Sequence, residues 1–267
     1  MSALETWCGY VVKARHVLSM FCFVFLLSCQ SHGPAKAELA NHPTKLSEAS
    51  AYNAQLGLAY LEQGDRPRAK RKLLLALSQA PDSPSAHAAM AYFLEKCGEM
   101  DNAHMYYKKA VTLGKSSGAQ WNNYGAFLCR QAQYKQAEEY FLLAVKDSNY
   151  EHTAGAYENA GLCAMAIPDM AKASLYFQKA LVQDPSKEQS LYELVKIELK
   201  QDHASQALAY LQKYPDLTLK NPTILALAID VAHKASKNEL EAEYQSHASL
   251  GAVSEKTGEK NDHNNNG

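Results

Sequence analysis

The amino-acid sequence predicts an all-α solenoid of about six antiparallel helix pairs. Three observations carry that expectation. Alanines recur 34 residues apart at Ala69, Ala103 and Ala137, and again seven residues further on at Ala76, Ala110 and Ala144. A large apolar residue stands inside each alanine pair: Leu73, Tyr107, Phe141, then Phe177 and Leu211 in two further copies. A loop precedes each pair, at Gln63-Gly64-Asp65, Cys97-Gly98-Glu99, Ala132-Gln133, Ile167-Pro168-Asp169 and Gln201-Asp202.

A 34-residue period with small residues at fixed places is the signature of the tetratricopeptide (TPR) repeat. Its logic is packing. Neither helix of a unit can bury its apolar stripe alone, alanines let backbones approach, and the large residue fills the space between units. The first-helix pattern W-x2-L-G-x2-Y reads Asn53/Leu56/Gly57/Tyr60, His87/Met90/Ala91/Leu94, Trp121/Tyr124/Gly125/Leu128, Tyr157/Ala160/Gly161/Ala164 and Leu191/Leu194/Val195/Glu198. The fold class expected is therefore a right-handed TPR superhelix.

Taken in order, the chain opens with a leader. Lys13, Arg15 and His16 precede an apolar run from Val17 to Leu27, too short to span a bilayer comfortably and typical of a secretory signal. It ends in Leu26-Leu27-Ser28-Cys29, which resembles the bacterial lipobox, so residues 1–28 are expected to be removed and Cys29 lipidated. Gln30 is not the aspartate that commonly retains such lipoproteins at the inner membrane, so the resemblance implies the periplasmic face of the outer membrane. Residues 29–49 are polar, contain Gly33, Pro34 and Pro43, and read as a tether. The repeat units are framed as 50–83, 84–117, 118–151, 154–187 and 188–221, with a degenerate terminal pair over 222–250. Residues 251–267 are polar and read as a disordered tail.

Composition excludes several classes. The balance of 27 Lys+Arg against 28 Asp+Glu leaves no basic excess to neutralise a phosphate backbone, so no nucleic-acid partner is expected. Six cysteines lack the paired C-x-x-C spacing of a zinc site, and ten histidines show no ligand spacing, so no metal is expected. Gly114-Lys115-Ser116 resembles the end of a phosphate loop, but Ala110 stands where that loop requires glycine and the preceding segment is helical. No catalytic motif is present; the expectation is a non-enzyme with no small-molecule substrate and no cofactor besides the lipid on Cys29. Glu138-Glu139 and Lys108-Lys109 read as solvated faces of second helices.

In a TPR solenoid the first helices line the concave surface. The residues so placed here are Leu58, Leu61, Tyr92, Glu95, Asn122, Asn123, Ala126, Arg130, Glu158, Asn159, Leu162, Met165, Tyr192 and Lys196. Asn123 and Asn159 share the sixth position of neighbouring units. A primary amide both donates and accepts, so the pair could hold an extended peptide backbone, or else brace neighbouring helices.

Asn122-Asn123-Tyr124-Gly125-Ala126-Phe127-Leu128-Cys129 and Asn159-Ala160-Gly161-Leu162-Cys163 resemble the type IV pilus biogenesis/stability lipoproteins of the PilF/PilW family. With the lipobox and the six-unit layout, the resemblance covers roughly residues 29–250. It implies a pilotin: an outer-membrane lipoprotein that helps the pilus secretin reach the outer membrane and form its multimer. The other reading is a general periplasmic TPR adaptor for a cell-envelope or secretion complex. The spacing of Cys129 and Cys163 is compatible with two buried thiols or with a bridge. The family resemblance implies the bridge, which would leave Cys97 unpaired near a turn.

Overall fold

A computed structural model describes residues 43–115 and 117–262. The leader, Cys29 and residues 263–267 lie outside the described residues. The chain divides into two compact units, Met1–Glu48 and Ala49–Gly267, and the described part of the first is the opening of helix α1.

The described residues form thirteen α-helices and no strand. The units pair α1 (Pro43–Glu62) with α2 (Arg66–Gln79), α3 (Pro84–Lys96) with α4 (Met100–Gly114), and α5 (Gly118–Arg130) with α6 (Tyr134–Ala144). They continue with α7 (Thr153–Ala166) and α8 (Met170–Gln183), then α9 (Glu188–Lys200) and α10 (Ala204–Lys213). A short α11 (Pro215–Lys220) precedes the last pair, α12 (Pro222–Lys234) and α13 (Asn238–Asp262).

The periodic residues form the core. Ala69, Ala76, Ala103, Ala110, Ala137, Ala144, Ala173, Ala180 and Ala207 are buried, as are Leu73, Tyr107, Phe141, Phe177 and Leu211 between them. Burying each large side chain is worth roughly 1.5–3 kcal/mol. Close approach explains the first-helix glycines. A Cβ on Gly161 would lie 2.7 Å from the Phe177 ring, one on Gly125 3.0 Å from Phe141, and one on Gly57 2.7 Å from Leu73. Each glycine is the seat of the large residue of its own unit.

The turn inside each unit also repeats. Backbone N–H groups of Asp65, Glu99, Gln133, Asp169, His203 and Lys237 donate to carbonyls five residues earlier, at Tyr60, Leu94, Leu128, Ala164, Glu198 and Ala232. This is the wide hydrogen bond of a Schellman cap, which commonly has a left-handed residue just before the donor. Gly64 and Gly98 supply it at φ 78° and 84°, whereas Ala132, Asp202 and Ser236 supply it at 58°, 59° and 54°. Asp65 and Asp169 then cap the second helix, accepting from Arg68 N and Lys172 N at 2.9 and 3.1 Å.

Four expectations are corrected. Residues 43–49, read as tether, belong to α1; Pro43 is tolerated at a first helical position because the N–H it lacks would have no partner there. Residues 251–262, read as a disordered tail, continue α13, whose sequence is not interrupted by proline. The fifth unit carries the extra helix α11, held where buried Thr218 donates from Oγ1 to Leu211 O at 2.8 Å. Glu138 is not a simple solvated residue: Lys172 Nζ donates to Oε2 at 2.8 Å and Tyr176 Oη to Oε1 at 2.5 Å, both from the following unit. Burial opposes the Glu138 charge, but these two donors and the Lys172 ammonium hold its carboxyl below the usual range.

Candidate functional site

The first helices α1, α3, α5, α7 and α9 present the residues expected to meet a partner, and the structure sorts them into two kinds. Most of the polar ones are engaged with the adjacent unit. Arg130 of α5 donates twice to Glu95 of α3, from Nε to Oε1 at 2.5 Å and from Nη2 to Oε2 at 2.9 Å. Tyr107 Oη adds a third donor to Oε2 at 3.1 Å. Burial, then the neighbouring carboxylate charge, push the Tyr107 hydroxyl far above its ordinary range, so it remains a donor. Neither Glu95 nor Arg130 is therefore an open charge.

The asparagines part company. Asn159 Nδ2 donates to Asn122 Oδ1 at 3.0 Å, binding α7 to α5. The sixth-position pair Asn123 and Asn159 is thus not a matched clamp, which corrects that expectation: Asn159 braces, while Asn123 is exposed and shows no hydrogen bond among the described residues. The physical reason is position. A fifth-position side chain faces the sixth-position side chain of the following unit, so Asn122, not Asn123, meets Asn159.

One unit later the same places hold Glu158 and Glu193, two carboxylates that would repel each other. They turn aside. Glu158 accepts from Ser190 Oγ at 2.7 Å and Lys187 Nζ at 3.3 Å. Glu193 accepts from Gln189 Nε2 at 2.9 Å and has Lys196 Nζ at 3.8 Å. Lys196 also sits 4.8 Å over the Tyr192 ring. Lys187, Ser190, Gln189 and Glu193 escaped the sequence reading; the signal for them was the equivalence of Glu158 and Glu193 to Asn122 and Asn159.

The second kind is apolar. Leu58, Leu61, Tyr92, Ala126, Met165 and Tyr192 are partly buried and lean on the core, each keeping some surface open. Leu162 is 40% exposed although it lies on a first helix between buried Gly161 and Cys163. With Asn123 on the neighbouring helix, these residues make a surface suited to packing against another chain, with one free amide for backbone contact.

Cys129 and Cys163 are joined by a disulfide with Cα atoms 5.8 Å apart, tying together the same two helices, α5 and α7, that the Asn122–Asn159 bond joins. Cys97 is a free, half-buried thiol. The third and fourth units are thus coupled at the first helices by amide and disulfide, and at the second helices by Glu138 with Lys172 and Tyr176. Among the described residues no group of His, Cys, Asp and Glu is placed to hold a metal ion, and no helix is long and apolar enough to cross a membrane.

No family model matches the chain. The type IV pilus assembly protein PilF of Pseudomonas aeruginosa is 33% identical over 173 residues, covering 64% of this chain and 67% of PilF. An uncharacterized protein of Haemophilus influenzae is 36% identical over 154 residues, covering 57% of this chain and 82% of that protein. The solved structure of P. aeruginosa PilF superposes with a TM-score of 0.63 at 30% identity, over 74% of this chain and 90% of that one. PilW, described as a widely conserved type IV pilus biogenesis factor, shares the fold with a TM-score of 0.59 at 24% identity, over 74% and 90% of the two chains. Five first-helix/second-helix units on a 34-residue period with two residues inserted before the fourth, a degenerate sixth and this identity to PilF agree: the chain is a TPR protein and belongs to the PilF family.

Proposed function

We propose that this chain is an outer-membrane lipoprotein, anchored through a lipid on Cys29, that acts as a pilotin for the type IV pilus secretin. In this role it escorts the secretin to the outer membrane and promotes assembly of the multimeric ring. The observation that carries the reading is the kinship with PilF over the TPR body, joined to a first-helix face whose uncommitted residues are Leu58, Leu61, Tyr92, Asn123, Leu162 and Met165. A segment of the secretin laid along that face would bury these apolar surfaces, with Asn123 bonding its backbone. The inter-unit pairs Glu95–Arg130, Asn122–Asn159 and Glu158–Ser190 would keep the face in one shape before the partner arrives, which limits the ordering cost of binding.

The test is deletion of the gene. The proposal expects fewer assembled secretin multimers and loss of surface pili, restored by the wild-type chain. The Cys29→Ser chain is expected to be unprocessed or mislocalised on fractionation. Normal multimers and pili in the deletion strain would favour the general periplasmic adaptor.

A further inference from the structure

We infer that the solvent-facing side of α2 is a second interaction surface, fitted to an anionic phospholipid headgroup layer. Helix α2 carries Arg66, Arg68, Lys70, Arg71 and Lys72 in its first half and no acidic residue along its length. The corresponding helix α4 sets Asp101 against Lys108 and Lys109, and α6 sets Glu138 and Glu139 against Lys135. The concentration on α2 occurs in a chain whose formal net charge is -1. Arg68 pairs with Asp65, whereas Arg66, Lys70, Arg71 and Lys72 have no acidic partner among the described residues.

The geometry selects lipid over an acidic protein segment. Ala69, Leu73 and Ala76 form the buried stripe of α2. On the side opposite that stripe lie Lys70, Arg71, Leu74 and Leu75, all exposed, with the leucines one helical turn beyond the cations. Leu74 and Leu75 are 50% and 40% exposed. Leucines flanked by lysine and arginine are the composition of a helix lying in a membrane interface: the leucines enter the acyl boundary while the cationic heads remain among the phosphates. Each cation adds attraction to an anionic leaflet. Proximity rests on the anchoring proposed above. Cys29 lies fourteen residues before Pro43, where α1 begins, and that length of chain reaches no more than about 50 Å, so a lipid on Cys29 would keep the repeat body near the bilayer.

The experiment incubates the full chain, purified from membranes, with vesicles of phosphatidylcholine alone or of phosphatidylcholine with an equal part of phosphatidylglycerol. Amine acetylation at Lys70 and Lys72 is followed by mass spectrometry, with Lys108 and Lys109 as internal references. Lys70 and Lys72 are expected to react roughly threefold or more slowly on the anionic vesicles only, and high salt should abolish the difference. In the variant Arg66→Glu with Arg71→Glu, whose positions are exposed, both lysines should react alike on the two vesicles while thermal unfolding matches wild type. Flotation with the phosphatidylcholine vesicles reads the anchor separately. A chain that does not float there, yet shows phosphatidylglycerol-dependent protection, refutes the anchor and retains the surface. Equal reactivity of Lys70 and Lys72 on both vesicles, whether or not the chain floats, overturns the surface and leaves the face to an acidic protein.

Discussion

Arg130 and Glu95 stand 35 residues apart in sequence and meet through two parallel hydrogen bonds between the second and third units. The carboxylate side chain is 7% exposed and the guanidinium side chain 47%. Burial works against the Arg130 charge, yet the hydrogen bonds and charge of Glu95 outweigh it and raise the guanidinium pKa further. The pair is a clamp whose acidic half lies inside the molecule.

Removing the exposed half should therefore hurt. Arg130→Ala is expected to cost about 2–3 kcal/mol, below the usual figure for a broken buried pair because Arg130 is half in water. Urea unfolding of Arg130→Ala, Glu95→Gln and the double variant should give a coupling of about 1–2 kcal/mol. Additive losses would mean that the two side chains do not depend on each other.

Glycine to alanine normally favours a helix, by about 1 kcal/mol. Gly161→Ala should do the opposite, because the new methyl would press on the fully buried Phe177 ring. A net loss of about 1–2 kcal/mol is expected. Gly125→Ala, with 3.0 Å to Phe141 where Gly161 has 2.7 Å to Phe177, should lose less. If Gly161→Ala unfolds at a higher temperature than wild type, the seat is looser than described.

Ala132 holds a left-handed conformation at the place where Gly64 and Gly98 stand in the first two units. Ala132→Gly should relieve that strain at an exposed site and stabilise by about 0.5–1 kcal/mol, raising Tm by about 1–3 °C. A lower Tm would show that the entropy of the new glycine outweighs the relief.

The Cys129–Cys163 bond closes a loop of 34 residues. Replacing either cysteine with serine is expected to cost roughly 2–4 kcal/mol. Alkylation without reductant, followed by mass spectrometry, should modify Cys97 alone among Cys97, Cys129 and Cys163. Modification of all three would remove the bridge from the account.

Much of the architecture was legible because packing repeats. Ala69, Leu73 and Ala76 announce the same contact as Ala137, Phe141 and Ala144, and a period of 34 can be read without knowing any contact. The unit joints were less legible. Asn122 and Asn159 are 37 residues apart, because two residues are inserted between the third and fourth units and because the bond runs from a fifth to a sixth position. Position matching alone paired Asn123 with Asn159, which the structure separates. The ends of the body were also misread, since Pro43 and the polar run after Leu250 look like breaks when helix formation there does not depend on the 34-residue pattern.

The correction at Asn159 changes which variants probe the proposed binding face. Asn159→Ala would cut a structural bond, whereas Asn123 and Leu162 can be changed with little effect on folding because both are exposed. The most direct measurement is photocrosslinking in living cells from single positions of the full-length chain, with the captured protein identified by mass spectrometry. A photoreactive residue at Leu162 or Asn123 is expected to capture the type IV pilus secretin, and one at Met105 or Val182, exposed on second helices, is expected not to. Capture of the secretin from Met105 or Val182 and not from Leu162 or Asn123 would place the working surface on the opposite side of the units, and capture of no secretin from any of the four would contradict the pilotin account.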